Sequence, residues 1–178
     1  HPGVVTMREF GEHEGAPFLV MELLIGRPLP DRLTGPQGAL SVAEVYTLFQ
    51  QLGEVLETIH AAGIVHRDLK PDNIMLVPDR SSSTAGEERA VLMDFGVARV
   101  SMANDASVSV AGSALGTPAF MSPEQCAGTG SGPESDMYAL GVLLYLVLAG
   151  HLPFDASSVT VLMSHHMFVA PPKLLNTA

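Results

Sequence analysis

Apolar residues recur at helical spacing between residues 41 and 63. The members of this stripe follow one another three or four positions apart: Val42, Val45, Phe49, Leu52, Leu56 and Ile59. Ser41 and Glu44 have the spacing of a capping box at the start of a helix, and Gly63 is typical of the position just after a helix end. The pattern therefore predicts one helix from Ser41 to just before Gly63, with a single buried stripe.

Two runs rich in apolar residues precede this helix and predict strands. They cover residues 4–10 and 18–23, and the Gly- and Pro-containing residues 11–17 between them suggest a hairpin connection. A connection rich in Pro and Gly then extends through Gly38. The chain is thus expected to enter the helix from a two-stranded hairpin.

Beyond the helix, the pattern predicts two more strands and two more helices. The strands are expected at 74–77 and 91–93, separated by a polar surface loop, and the helices at 136–149 and around 156–168. Residues 97–117 show no clear periodicity and are expected to form a loop. Strands followed mostly by helices predict an α+β fold.

Composition narrows the class of protein. The chain is 47% apolar and 16% charged, as in globular proteins, and its net charge of −10 argues against nucleic acid or an anionic membrane surface as a main partner. Cys126 is the single cysteine, which excludes an internal disulfide and fits a reducing, cytoplasmic compartment. The longest apolar run, 137–150, is shorter than the roughly 20 residues of a bilayer span. No membrane contact is expected from this segment.

Charged and amide side chains are concentrated in two short motifs, HRDLKPDN at 66–73 and DFG at 94–96. An Asp in a turn is usually only a turn former. Phosphoryl transfer, however, needs an acid that takes the acceptor's proton, a cation that neutralises the phosphate, and oxygen ligands for Mg²⁺. The two motifs hold such a set in chain order: Asp68, Lys70, Asn73 and Asp94.

These motifs resemble those of the eukaryotic-type (Hanks-type) protein kinase family. HRDLKPDN resembles the catalytic loop, DFG the metal-binding turn, and GTPAFMSPEQ at 116–125 the substrate-positioning loop. Three more stretches match in the order of the family: HPGVV at 1–5, FLVMELL at 18–24 and DMYALG at 136–141. The SPEQ ending and VLMDFGVAR resemble the bacterial Ser/Thr protein kinases most.

The resemblance implies a role for each matching residue of the two motifs. Asp68 would be the catalytic base and Lys70 the cation that contacts the transferred phosphate. Asn73 and Asp94 would be the ligands of Mg²⁺, or of Mn²⁺ in its place. Lys70 two positions after Asp68, together with Thr117 in the substrate loop, resembles Ser/Thr kinases rather than tyrosine kinases.

The resemblance also implies an ATP site. Glu22 and Leu24 would present backbone groups to the adenine edge, Met75 would lie under the ring, and Met21 would guard the back of the pocket. For both methionines, simple core packing is the alternative. Asp136 would bond the backbone of the catalytic loop, which is compatible with an ordinary position at a helix start.

Regulatory features follow from the same resemblance. Arg67 before the base is typical of the subclass that is activated by loop phosphorylation, where a phosphate pairs with this arginine. The nearby acceptors are Ser107, Ser109 and Ser113, for which a plain flexible-loop serine is the alternative. Glu124 pairs in this family with a late arginine, whereas the last arginine here is Arg99. Without that cation, a half-buried Glu124 is expected to be costly.

The implied architecture is a truncated protein-kinase-like fold of the α+β class. Residues 1–24 are expected to be the remnant of the N-lobe (two strands) with the hinge, and residues 25–178 the mostly helical C-lobe, incomplete at its C-terminal end. Lys70 and Lys173 are the only lysines, so the strand lysine that pairs with the α- and β-phosphates is expected upstream of His1, as is the Gly-rich loop.

The expected function is therefore that of an ATP-dependent Ser/Thr protein kinase that phosphorylates proteins and autophosphorylates, with a kinase dimer for reaction in trans. The isolated 178-residue chain is expected to be inactive. One alternative is a pseudokinase that acts as a binding or scaffold module. A small-molecule phosphotransferase is the other, but such enzymes lack the substrate loop at 116–125. We expect a cytoplasmic domain, with any membrane anchor outside this chain.

Overall fold

The computed structural model describes residues 1–36, 38–79, 87–95 and 118–174, and all structural statements below concern these residues. The chain begins with an antiparallel hairpin of strands β1 (Met7–His13) and β2 (Ala16–Met21). The turn consists of Glu14 and Gly15 alone, with φ of 52° and 79°, the backbone that tight hairpin turns require. The predicted length of the hairpin connection, residues 11–17, is therefore wrong, because most of those residues pair across the hairpin.

The strand expected at 4–10 begins at Met7 instead of at residue 4, because the residues before it pair elsewhere. Val5 N–H donates to the Leu92 carbonyl at 3.0 Å, and Leu92 N–H donates to the Gly3 carbonyl at 2.8 Å. Val4 forms a parallel bridge with Leu92. The chain start thus lies along a strand that comes almost ninety residues later.

Two elements occur in the connection that was expected to be irregular. Strand β3 (Arg27–Pro28) pairs antiparallel with β4 (Ile74–Pro78), which pairs antiparallel with β5 (Glu88–Leu92). Helix α1 (Leu29–Thr34) follows β3 directly. Gly26, just before β3, permits the close approach of the chain to β4, because a Cβ atom there would lie 2.2 Å from the Leu76 carbonyl oxygen.

Helix α2 (Val42–Ala61) confirms the predicted capping box and the predicted end. The Ser41 hydroxyl accepts from Glu44 N–H, the Glu44 carboxylate accepts from Ser41 N–H at 2.7 Å, and Gly63 has a φ of 74°. The predicted stripe is only partly right: Val42 is 83% exposed and Phe49 half-buried. The buried face is formed by Val45, Leu48, Leu52, Val55, Leu56 and Ile59.

The C-terminal part of the chain is helical. A short helix α3 (Pro123–Cys126) follows a turn of 3₁₀ helix at Pro118–Phe120. The long apolar helix α4 (Pro133–Ala149) begins three residues before its predicted start at 136. Helix α5 (Val159–Phe168) begins three residues after its own predicted start at 156. In the part of the chain that the structure describes, no helix is both long and apolar enough to span a bilayer.

One main hydrophobic core connects these elements. Its fully buried members come from α1, α2, β4, β5, α4 and the loop after α2, and include Leu29, Leu52, Leu69, Ile74, Leu92 and Leu143. A smaller cluster of Val5, Val77 and Val91 lies on the other side of the β3–β4–β5 sheet. The α+β class expected from the sequence is confirmed.

Candidate active site

The HRDLKPDN segment follows α2 and is held by a carboxylate from α4. Asp136 is 1% exposed and accepts from the backbone N–H groups of His66 and Arg67, each at 2.8 Å. Its Oδ2 also lies 2.8 Å from Nε2 of His60 in α2. A buried carboxylate needs such partners to offset its desolvation. The expectation that Asp136 bonds the loop backbone is confirmed.

His66 is fully buried beneath the loop and connects it to the end of β5. Its ring Nε2 lies 2.8 Å from the Met93 carbonyl, and its Nδ1 accepts from Asp68 N–H at 3.3 Å. These two partners select the neutral tautomer with the proton on Nε2. Burial lowers the pKa of His66, although the Met93 carbonyl and nearby carboxylates oppose this shift. The Phe95 ring packs at a centroid distance of 5.0 Å from the His66 ring.

Lys70 and Asn73 converge on the carboxylate of Asp68. Lys70 Nζ donates to Asp68 Oδ2 at 2.9 Å. The Asn73 amide nitrogen donates to the Asp68 backbone carbonyl at 2.7 Å and to Asp68 Oδ2 at 3.2 Å. Asn73 is buried and stands in a single turn of 3₁₀ helix, Pro71–Asn73. Because its NH₂ group faces Asp68, its Oδ1 is directed away as an acceptor or ligand.

Asp94 follows Met93, the residue that bonds to Asn73 through the backbone. Met93 N–H donates to the Asn73 carbonyl at 2.8 Å, and Asp94 follows with a φ of 53° and an exposed side chain. Amide and carboxylate oxygens suit Mg²⁺, which in phosphate sites takes one or two protein ligands while substrate oxygens complete its shell. Within the described ranges, no cluster of three or more His, Cys, Asp or Glu side chains could hold a metal ion.

The candidates for adenine contact lie around the smaller hydrophobic cluster. Met21, Leu24 and Met75 all pack against it, together with Phe95. Both methionines are half-buried there, which satisfies the packing alternative as well. Glu22, in contrast, bonds to Thr6: its carboxylate accepts from Thr6 N–H at 2.8 Å, and its backbone N–H donates to the Thr6 carbonyl. The backbone bond to Thr6 lowers the pKa of the Glu22 side chain.

Several predicted site residues lie outside the described part of the chain. These are Thr117 in the substrate loop and the acceptors Ser107, Ser109 and Ser113. The described portion of the substrate loop begins at Pro118 and continues into α3.

Glu124 has a partner that the sequence does not suggest. Ser135 of α4 donates its hydroxyl to the Glu124 carboxylate. Burial raises the pKa of Glu124, but hydrogen bonds from Ser135, from Ser122 and from the backbone outweigh it, so the net shift is downward. The expectation that a half-buried Glu124 without a cation destabilises the protein is therefore wrong, because hydroxyl donors stabilise its ionised form.

Two polar contacts of the site have no signal in the sequence. Gln125 of α3 donates from Nε2 to the Arg67 carbonyl at 2.9 Å, and His60 joins α2 to Asp136. Arg67 adopts a left-handed backbone with φ of 67°; its N–H donates to Asp136 of α4 and its carbonyl accepts from Gln125 of α3. A Gln three positions after a Ser indicates only a capping box.

The family model described as the protein kinase domain matches residues 1–173. The chain belongs to the protein kinase family. It is 44% identical over 172 residues to serine/threonine-protein kinase pkn2 of Myxococcus xanthus, an alignment that covers 96% of this chain and 20% of that protein. It is 36% identical over 179 residues to serine/threonine-protein kinase PknA of Mycobacterium tuberculosis, covering 98% of this chain and 39% of that protein.

A further relative is serine/threonine-protein kinase pkn3 of Myxococcus xanthus, with 35% identity over 175 residues, 97% of this chain and 31% of that protein. The chain therefore spans between a fifth and two fifths of the length of these curated relatives. The resemblance to bacterial Ser/Thr kinases is confirmed, and it covers nearly the whole chain. Members of this family use ATP, a divalent metal ion and protein substrates.

Proposed function

We propose that the full-length protein is an ATP-dependent kinase that transfers the γ-phosphate of ATP to Ser and Thr hydroxyls of proteins. The observation that carries this proposal is the convergence of Lys70 and Asn73 on the Asp68 carboxylate, with Asp94 one residue beyond Met93, whose N–H donates to the Asn73 carbonyl. Each type of group that phosphoryl transfer needs is present within one loop and one strand end.

In the proposed reaction, Asp68 accepts the proton of the substrate hydroxyl while the hydroxyl oxygen bonds to the γ-phosphorus. The bond from that phosphorus to the bridging oxygen of ADP breaks, and ADP leaves with the electron pair. Lys70, held 2.9 Å from Asp68, would place its charge next to the phosphoryl oxygens at the same time. Asn73 would orient Asp68 through its NH₂ group.

Asn73 Oδ1 and the Asp94 carboxylate would hold Mg²⁺ or Mn²⁺. When bound, the ion would neutralise charge on the phosphate oxygens. The backbone of Glu22 and Leu24 would meet the adenine edge, and Met75, which packs in the same cluster as Leu24, would lie under the ring. In this proposal residues 1–24 contribute to the N-lobe and hinge, and residues 25–178 to the C-lobe.

Activation by loop phosphorylation is part of the proposal. Ser107, Ser109 and Ser113 are acceptors between the DFG motif and the substrate loop, and Arg67 would pair with the added phosphate. Autophosphorylation in trans would need a kinase dimer, and the domain would work in the cytoplasm. Replacing the three serines together by Ala should lower the activity of the full-length protein. An unphosphorylated loop by mass spectrometry together with unchanged kinetics would remove this part of the proposal.

The central experiment compares wild type with Asp68→Asn in the full-length protein. Loss of the base should abolish autophosphorylation with labelled ATP, while the affinity for an ATP analogue stays within about threefold, because Asp68 is not among the proposed ATP-contacting groups. Asp72→Asn is the matched control in the same loop, since Asp72 is exposed. Equal labelling of Asp68→Asn and wild type would reject Asp68 as the base.

A pseudokinase gives a different result in the same experiment. Wild-type protein that binds the ATP analogue but labels no protein, with or without Mg²⁺ and Mn²⁺, would favour a binding or scaffold module.

A further inference from the structure

Arg67, the residue before the proposed base, has a strained backbone that is held from two sides. Its φ of 67° lies in the left-handed region that residues other than Gly rarely occupy. The preceding peptide is fixed by Asp136 in α4, which accepts from Arg67 N–H. The following peptide, which joins Arg67 to Asp68, is fixed by Gln125 in α3, which donates to the Arg67 carbonyl at 2.9 Å. The orientation of Asp68 thus depends on both contacts.

The two ends of the Gln125 amide have different partners. Oε1 accepts from Ser122 N–H at 3.0 Å and closes the capping box of α3, while Nε2 donates to Arg67. Only the oxygen can accept from an N–H group and only the NH₂ group can donate to a carbonyl, so these partners determine the orientation of the amide. One side chain therefore stabilises the start of α3 and holds the loop of the proposed base.

We propose that Gln125 is a positioning residue that couples α3 to the orientation of Asp68. Helix α3 contains the end of the substrate loop, and Gln125 contacts a residue that lies 58 positions earlier in the chain. When α3 is formed, the amide of Gln125 holds the Arg67 carbonyl and keeps the Arg67–Asp68 peptide in its strained orientation. When α3 is displaced, that peptide loses a holding contact and Asp68 turns from the position in which it can accept a proton. The proposal rests on the kinase activity proposed above.

The chain offers substitutions that separate the two tasks of this side chain. Gln125→Glu keeps an oxygen for Ser122 N–H but has no donor for the Arg67 carbonyl. Thr129→Ala, just after α3, removes a hydroxyl that donates to the Glu124 carbonyl and keeps both contacts of Gln125. Gln125→Met has nearly the same size with neither donor nor acceptor, and therefore tests whether a loss in Gln125→Glu is due only to the new charge.

The experiment measures kcat, the KM for ATP and hydrogen exchange of residues 66–73 in the full-length protein. We expect Gln125→Glu and Gln125→Met to lower kcat at least tenfold, to leave the KM for ATP within about threefold, and to speed exchange in the loop. Thr129→Ala should keep kcat within about threefold of wild type, because Thr129 is exposed and both contacts of Gln125 remain.

Wild-type kcat in both Gln125 variants would overturn the proposal, as would a loss of kcat in Thr129→Ala equal to that in the Gln125 variants. If the wild-type protein had no kinase activity, the proposed function would fail instead. The exchange measurement would then still decide, because faster exchange of residues 66–73 in the Gln125 variants supports the positioning contact and unchanged exchange rejects it.

Discussion

At the scale of single residues, the site depends on a few buried polar groups that act on backbone rather than on substrate. Asp136 holds two successive N–H groups of the catalytic loop and contacts His60, so one carboxylate joins α2, the loop and α4. Such a group stabilises the loop only while all of its partners are present. Its removal should therefore affect both stability and activity.

Asp136→Asn keeps the size of the side chain but replaces one acceptor oxygen by an NH₂ group. This group would then face the N–H of His66 or of Arg67, leaving buried donors without an acceptor. We expect a loss of about 3 kcal/mol in the free energy of unfolding and a fall in kcat. Urea denaturation of the full-length protein measures the first quantity. The exposed Asp155→Asn is the control, and equal stabilities of the two variants would contradict the prediction.

His66 predicts a pH dependence of stability. Burial lowers its pKa in the folded protein below the value near 6.5 of an exposed His, so the unfolded state binds the proton more readily. Stability should therefore fall as the pH drops below about 6.5, by at most about 1.4 kcal/mol per pH unit for this single proton. His166, whose pKa burial also lowers, adds a contribution of the same sign.

Thermal unfolding midpoints between pH 7.5 and 5.5 test this dependence. His66→Gln should show a smaller fall in midpoint than wild type, whereas His13→Gln, which changes an exposed histidine of β1, should show the wild-type fall. A wild-type slope in His66→Gln would mean that this ring does not control the pH response.

At the scale of elements, the predictable features are those that depend on neighbours in the chain. The bounds of α2 follow from Ser41, Glu44 and Gly63, because caps act within one helical turn. Strand β3 is different: two residues become a strand only because they pair with Leu76 and Met75. The buried face of α2 likewise includes Leu48 and excludes Val42, since the neighbouring elements determine which side of the helix is covered.

The same distinction applies to the candidate site. Asp68, Lys70, Asn73 and Asp94 lie in two short motifs whose residue types already suggest phosphoryl transfer. In the structure Lys70 and Asn73 donate to Asp68, and Asp94 follows Met93, whose N–H donates to the Asn73 carbonyl. The contact of Gln125 with Arg67 and that of Ser135 with Glu124 join segments distant in sequence. Their residue types are common at helix starts, so the sequence alone contains no signal for them.

The capping box of α2 predicts an acid sensitivity of this element. The Ser41 backbone N–H, with further help from Arg32, lowers the pKa of Glu44 from 4.5 to about 2. Because the folded pKa is the lower one, Glu44 stabilises the protein above pH 4.5 and loses this effect as the pH falls toward 2. Glu44→Gln should cost about 1 kcal/mol at pH 7, since the carboxylate is half-exposed and screened by water.

The cost of Glu44→Gln should shrink between pH 4.5 and 2, where wild type loses the same interaction. Urea denaturation at pH 7, 4.5 and 3 measures this difference. Glu57→Gln on the exposed face of the same helix is the control and should cost little at any of these pH values. A cost of Glu44→Gln that does not change with pH would show that its charge is not involved.

At the scale of the whole molecule, residues adjacent to the candidate site are part of the hydrophobic core. The main cluster includes Leu69 of the catalytic loop, Ile74 at the start of β4 and Leu143 of α4, and Phe95 packs against both clusters. The side chains flanking Asp68 and Asn73 are thus anchored in the same core as the helices. Helix packing far from the loop therefore contributes to the geometry of the proposed reaction.

Leu143→Ala tests this connection, because Leu143 is fully buried in α4 and belongs to the same core cluster as Leu69. The cavity should lower the free energy of unfolding by about 2–5 kcal/mol, measured by hydrogen exchange of α4 in the full-length protein. Since the core also anchors Leu69, exchange of residues 66–73 should speed up as well. Leu148→Ala is the control on the same helix, because Leu148 is half-exposed and its truncation should cost less than about 1 kcal/mol. Faster exchange confined to α4, with the catalytic loop unchanged, would show that the loop is held by its polar contacts alone.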